Sequence, residues 1–223
     1  MKFEDVAFHK TIGDCEDDIC VNIEIEYLKM EGDSETAQNF NHLIEQFIFR
    51  KMSISDDIKE LTPEEYVAGI VKEFKSFKTE FPDANTGGYE QTTNCKLTWS
   101  DEKLISVELL TSVYSGGAHP SYLDEFLNVD PKTGNAIDIL GFITDKETFK
   151  AFVESKLRLK LGMGENDKWE DFTFVDKFIL PENMGMTEKG LRLVYNEYEI
   201  LPYSDGKTEI LITNDELKDF SSF

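Results

Sequence analysis

Between Ile19 and Tyr27 the chain alternates strictly, with Ile19, Val21, Ile23, Ile25 and Tyr27 set against Cys20, Asn22, Glu24 and Glu26. A side-chain period of two is that of a β-strand with one face in a core and one in water. The period then changes. Asp33 or Ser34 offers a capping oxygen, and Phe40, Leu43, Ile44, Phe47 and Ile48 follow at helical spacing, which predicts a helix near 34–52. Thr62-Pro63-Glu64-Glu65 marks a second helix start: Thr62 caps, Pro63 suits the first turn and Glu65 completes a capping box. This helix, near 62–80, carries Tyr66, Val67, Ile70, Val71, Phe74 and Phe77 and is expected to end before Pro82, where 82–88 reads as a loop.

A β-rich block comes next. Tyr89–Trp99, Leu104–Tyr114 and Tyr122–Val129 read as strands, the first two joined by a turn at Ser100–Lys103. Asp130-Pro131-Lys132-Thr133-Gly134 is a turn. Asp145 or Thr144 opens a third helix near 145–161, with Phe149, Phe152, Val153, Leu157 and Leu161 on one face and Gly162 and Gly164 to stop it. Further strands are expected at Phe172–Leu180, Leu191–Tyr195, Tyr198–Leu201 and Glu209–Ile212, and Asn214–Leu217 begins a short last helix. No repeat, low-complexity tract or flexible linker interrupts this order. It is not an alternating βαβ pattern. It predicts an α+β fold, with antiparallel sheets, helices packed on one face and two closely packed lobes.

Composition narrows the function by exclusion. The 223 residues carry a formal net charge of −22, which repels phosphate backbones and anionic lipid and argues against nucleic acid as a partner. A basic partner is admitted, although a solubilising surface is the commoner reason for such acidity. No apolar run reaches the roughly 18 residues of a membrane helix, and no basic-then-apolar leader follows Met1. The chain is therefore expected to be either cytoplasmic or a mature segment whose leader is missing. Cys15, Cys20 and Cys95 allow at most one disulfide, and both a Cys15–Cys20 bridge across a hairpin tip and three inert thiols stand open. The acidic tip of Asp14, Glu16, Asp17 and Asp18 lacks EF-hand spacing, and no Cys/His cluster has zinc-ligand spacing. No metal and no cofactor are expected.

Two stretches carry candidate chemistry. In Tyr114-Ser115-Gly116-Gly117-Ala118-His119-Pro120, the glycines allow unusual backbone and Pro120 extends His119. Ser115 with His119 is one nucleophile–base reading, but no G-x-S-x-G elbow is present. His119 with Asp124 or Glu125 is a ligand reading with thin support, and a structural turn in which His119 bonds a neighbouring backbone group is the third. The second stretch runs from Gly190 to Gly206. Tyr195, Tyr198 and Tyr203 have rings suited to recognition, and Glu197 and Glu199 would share a face if their segment is a strand. A pair of carboxylates can cleave glycosides, yet i, i+2 neighbours are commonly a solvated sheet face.

Tyr114-Ser115-Gly116-Gly117-Ala118-His119-Pro120 resembles the Y-x-G-G-A-H-x turn of a bacterial envelope domain family. Gly190-Leu191, followed by Tyr195-Asn196, Tyr198-Glu199-Ile200, Pro202-Tyr203 and Gly206, resembles the G-L-x-F-x-Y-N-x-Y-E-I-x-P-Y-x-x-G segment of its second half. The family is the domain pair of the extracytoplasmic region of RsiV-type anti-sigma factors, also found beside the catalytic domain of PdaC-type peptidoglycan deacetylases. The resemblance covers nearly the whole chain, 1–120 as the first domain and 121–223 as the second. Leu193 and Leu201 depart from it as apolar exchanges in an expected core. The 223 residues hold no transmembrane or sigma-binding segment and no metal-dependent catalytic module, so neither the anti-sigma role nor deacetylation carries over. The resemblance implies a secreted, periplasmic or lipid-anchored, non-enzymatic binding or sensing module. It further implies a basic partner such as a lysozyme, or a peptidoglycan fragment. The runner-up is a cell-wall glycan hydrolase or accessory domain. Candidate ligand residues are Tyr114, His119, Tyr195, Tyr198, Glu199 and Tyr203, with Gly116, Gly117 and Pro120 as structural turn residues.

Overall fold

The computed structural model describes residues 1–15, 19–50, 61–81 and 87–221. The acidic tip at 16–18, positions 51–52 of the expected first helix and most of the 82–88 loop lie outside the described residues. The alternation that starts at Ile19 continues as a strand to Met30. It pairs antiparallel with an earlier strand, so that β1 (Phe3–Asp14) and β2 (Ile19–Met30) run from Phe3 opposite Met30 to Asp14 opposite Ile19. β1 escaped the sequence reading because Lys10 interrupts the alternation of Val6, Phe8 and Ile12, and Phe3 falls out of step with it. None of its residues is buried. A Cys15–Cys20 disulfide, with Cα atoms 4.9 Å apart, closes the hairpin, and Cys95 is a buried free thiol.

Helix α1 (Glu35–Ile48) is capped by Ser34, whose hydroxyl accepts from Ala37 N, and it buries Ala37, Phe40, Ile44 and Ile48. Helix α2 (Pro63–Glu80) begins with the expected capping box of Thr62 and Glu65. Both helices pack on β2. The next strand, β3 (Tyr89–Ser100), lies beside β2 in parallel, from Val21 opposite Tyr89 to Glu26 opposite Asn94. The sheets are mostly antiparallel, as expected, and β2–β3 is a parallel pair within them. Two helices intervene between β2 and β3, a connection long enough to return the chain for a parallel pair. β4 (Ile105–Tyr114) and β5 (Ser121–Val129) complete a sheet of order β1-β2-β3-β4-β5.

After the Asp130–Gly134 turn, Asp145 caps α3 (Lys146–Lys160), which buries Phe149, Val153 and Leu157. A second sheet, antiparallel throughout, is formed by β6 (Asn183–Thr187), β7 (Gly190–Tyr195) and β8 (Thr208–Thr213), and α4 (Asn214–Leu217) follows. Two expected strands are absent. Residues 172–180 are irregular because Thr173 turns its hydroxyl to Trp169 O and Val175 O, so the side chain competes with a ladder. Tyr198–Leu201 is a turn, closed by Tyr198 N to Leu201 O at 3.0 Å and Glu199 N to Asn196 O at 3.1 Å.

The chain forms two compact units interleaved in sequence. One comprises Met1–Lys96, Leu110–Tyr122 and Lys132–Asn135; the other comprises Leu97–Leu109, Leu123–Pro131 and Ala136–Phe223. The first unit's core includes Ile23, Ile25, Phe40 and Ile44, all essentially inaccessible. The second is built on Phe149, Val153, Leu157, Leu191, Leu193 and Ile212. Among the described residues no helix is long and apolar enough to cross a membrane.

Gly190 opens β7 with φ +136°, and a Cβ there would stand 2.1 Å from Ile212 O. Backbone strain and a clash with sheet backbone act together. Gly190→Ala should therefore lower unfolding stability by more than about 2 kcal/mol. A urea titration checks this, and an unchanged midpoint would contradict it.

Candidate functional site

The loop from Tyr114 to Pro120 separates into residues with different roles. Gly116 has φ +82°, whereas Gly117 is not in the left-handed region and a Cβ on it would meet only His119 O, at 3.9 Å. The strained turn glycine is therefore Gly116 alone. His119 is exposed, with Nδ1 3.1 Å from Pro120 O, the neighbouring-backbone bond of the structural reading. Tyr114 and Ser115 line a cleft in the first unit. Asp124, offered as a ligand beside His119, is instead 2% exposed and salt-bridged to Arg192 and Lys207. Among the described residues no three His, Cys, Asp or Glu side chains are grouped to hold a metal.

In the second unit Arg192 draws three strands together. It projects from β7 between the fully buried Leu191 and Leu193. Its guanidinium donates to Glu108 of β4, to Asp124 Oδ2 of β5 at 2.8 Å and to Glu209 Oε1 of β8 at 3.1 Å. It also lies 5.2 Å from the centre of the Phe126 ring. Lys207 Nζ adds contacts to Asp124 Oδ2 at 2.5 Å and Glu209 Oε1 at 2.7 Å. Burial alone would raise the Glu209 carboxyl, but Lys207 and Arg192 hold it below the usual carboxylate range. Burial likewise opposes the charges of Arg192 and Lys207, and their carboxylate partners reverse that and push both upward. Of this network the sequence singled out only Asp124, as a ligand beside His119; Arg192, Lys207, Glu108 and Glu209 were missed. The signal was available, since one charge inside the apolar run Leu191-Arg192-Leu193-Val194 needs a buried partner.

The same network positions the turn that follows. Asn196, 6% exposed, accepts from Asp124 N at 2.8 Å and donates to Asp124 O at 3.1 Å. Its amide also reaches Glu199 Oε1 at 3.3 Å, and Asn183 approaches the same oxygen at 3.4 Å. Glu199 lies at the surface with this oxygen turned inward, and partial burial pushes its carboxyl above the usual range despite those amides.

The comparisons with known proteins match both halves of this chain. A family model described as "Deacetylase PdaC" matches residues 15–122, and one described as "Protein of unknown function (DUF3298)" matches 142–215. The first half of the chain is thus similar to the PdaC model and the second half to the DUF3298 model. A crystal structure of a DUF3298 family member from Bacteroides fragilis is 20% identical with a TM-score of 0.73, covering 100% of this chain and 94% of that one. A DUF3298 family protein from Pseudomonas aeruginosa is 18% identical with a TM-score of 0.65, covering 99% and 94%. At these identities the likeness is one of fold. No curated protein matches.

The tyrosines of the DUF3298-like region are not equivalent. Tyr195 is fully buried and donates to Ile179 O at 2.6 Å, and burial pushes its phenol strongly upward. It is a core residue, which corrects its reading as a ligand contact. Tyr198 is 59% exposed, and at φ +68° it is the one non-glycine residue with positive φ among the described residues. Its ring centre is 6.0 Å from that of Tyr203. Phe174, 62% exposed, donates its N–H to Ile200 O in the same turn. Glu197 and Glu199 lie in this turn and not on a strand, so the shared-face arrangement is absent.

Arg192→Met should destabilise the protein by roughly 3–5 kcal/mol, because it leaves the enclosed Glu108 without its cation and Asp124 with Lys207 alone. Urea unfolding tests it, and a loss under about 1 kcal/mol would show that the network is dispensable. A carboxyl held below its unfolded value adds stability above the unfolded range and loses it as pH falls through the folded value. The melting temperature should therefore fall on acidification below the ordinary glutamate range, and less steeply in Glu209→Gln. Identical acid limbs in the two proteins would refute the role of Glu209.

Proposed function

We propose that this protein is a non-enzymatic, extracytoplasmic binding module whose DUF3298-like region engages a basic, envelope-directed protein through Tyr198, Tyr203 and Phe174. The observation that carries the reading is Tyr198. A non-glycine residue at positive φ costs on the order of 1 kcal/mol or more and persists where surroundings over-determine it, commonly at functional sites. Here the strain holds an aromatic ring outward in water, beside a second tyrosine. Exposed aromatics are the usual anchors of protein interfaces. Glu197, Glu199 and Asp205 lie in the same segment, and with a chain charge of −22 they favour a basic partner. A lysozyme is the partner class implied by the resemblance to the RsiV-type region.

The extracytoplasmic placement rests on two supports. Disulfides persist in oxidising compartments, and Cys15–Cys20 is one. The PdaC-like region adds a family context of the cell envelope.

The test is binding kinetics with a lysozyme as probe. Association should slow as salt rises, since charges are screened over about 8 Å at physiological ionic strength. Tyr198→Ala should speed dissociation by about 10-fold or more, while Tyr122→Ala, another exposed tyrosine, should not. A basic protein of equal charge and unrelated shape should bind far more weakly. No saturable binding, or an unaltered dissociation rate in Tyr198→Ala, would overturn the proposal.

A further inference from the structure

The first unit contains a cleft of about 520 Å³ between α2 and the ends of β2, β3 and β4. Its apolar wall comes from Val21, Ile23, Ile70 and Val113, and three tyrosines, Tyr66, Tyr89 and Tyr114, line it. Its charged residues are Glu65, Glu73 and Glu90 against Lys72, so carboxylates outnumber cations. Tyr66 is held in place by donating to Gln91 Oε1 at 2.6 Å, and Gln91 is in turn bonded to Thr93 Oγ1 at 3.2 Å. Burial raises the hydroxyls of both Tyr66 and Tyr89, and the charge of Glu73 adds to it in each case, so this carboxylate acts on two ring hydroxyls of the cleft.

Gly69 is the second observation. It lies within α2, lines the cleft, and has helical backbone with no positive φ. A Cβ there would meet nothing within 4 Å. Glycine inside a helix costs about 1 kcal/mol relative to alanine. Neither backbone conformation nor close packing requires it at this position. What its missing side chain does leave is open space on the cleft side of the helix.

An apolar wall with tyrosine rings and surplus carboxylate suits a cation on an aliphatic stem. The stem is buried against Ile70 and Val113, and the ammonium meets Glu73 and tyrosine faces, an attraction worth about 0.5–2 kcal/mol per ring. Asn22, Ser76, Gln91 and Ser115 also line the cleft, so a sugar is the competing occupant that the test must separate. We propose that the cleft is a binding site for an alkylammonium group, specifically a lysine side chain presented by an extended peptide. The site is separate from the tyrosine turn of the DUF3298-like region and does not depend on it.

The probes are the peptide acetyl-Ala-Lys-Ala-amide, its norleucine counterpart and a glucosamine disaccharide, titrated into the whole chain and followed by nuclear magnetic resonance. The lysine peptide should bind saturably and shift Tyr66, Tyr89 and Ile70. The norleucine peptide should bind at least 10-fold more weakly, and Glu73→Gln should weaken the lysine peptide at least 5-fold. Gly69→Leu keeps every charge, should melt no lower than the natural protein and should abolish binding. Retained binding in Gly69→Leu would mean attraction to the acidic surface and would overturn the proposal. So would equal binding of the norleucine peptide, binding of the disaccharide alone, or no binding by any probe. Tyr198→Ala should leave this binding unchanged.

Discussion

An enclosed guanidinium governs the second unit. A charge removed from water costs several kcal/mol unless opposite charges and hydrogen bonds meet it. Arg192 sits in β7 among residues that are fully buried, so its carboxylates must come from elsewhere in the fold. They come from β4, β5 and β8 as Glu108, Asp124 and Glu209. A polar seam extends from this point. Ser106 donates to Asn128 at 2.6 Å and accepts from Met186 N at 3.0 Å, and Asn128 donates to Met184 O at 2.7 Å. Gly185 lies where a Cβ would fall 1.9 Å from Phe126 Cδ1, so the ring can close over β6 only against a glycine. Charge, hydrogen bonding and shape therefore fix the same register between strands of the two sheets.

The surface turn inherits its rigidity from that seam. Asp124 gives its side chain to the cations and both of its backbone polar groups to Asn196. Asn196 thereby anchors the start of the turn, Tyr195 and Ile200 are buried on either side, and Tyr198 between them is left strained and outward. Interface aromatics contribute most when their conformation is set before binding, since less freedom is then lost.

The first unit is organised by different means. Its helices bury apolar faces on β2, the disulfide closes one hairpin, and side-chain hydrogen bonds from Thr36 and Asn39 reach the carbonyls of Lys132 and Thr133 at 2.8 and 2.9 Å. Its cleft is walled by side chains that are well supported from behind, with Gln91 only 7% exposed. The acidic character of the chain has a local expression here, since the cleft gathers carboxylates next to phenol rings.

Local physics made much of this legible from residues alone. Period two marked β2, helical spacing marked α1, α2 and α3, and Ser34, Thr62 and Asp145 announced their starts, because a cap or an amphipathic stripe acts within a few residues. The GGAH turn and the Tyr-Asn segment also stood out. Other features needed the folded chain. The parallel pairing of β2 and β3 depends on where two helices return the backbone, and β1 and β6 gain strand form from their neighbours more than from their own pattern. Tyr195 and Tyr198 are the same residue three positions apart, yet one is core and the other surface. Their difference follows from Asn196 ending the strand, and Asn196 does so because Asp124, 72 positions away, accepts and donates at its amide. A sequence states which side chains are apolar or charged; which charges meet, and so which aromatic is left in water, is decided by contacts between residues distant along the chain.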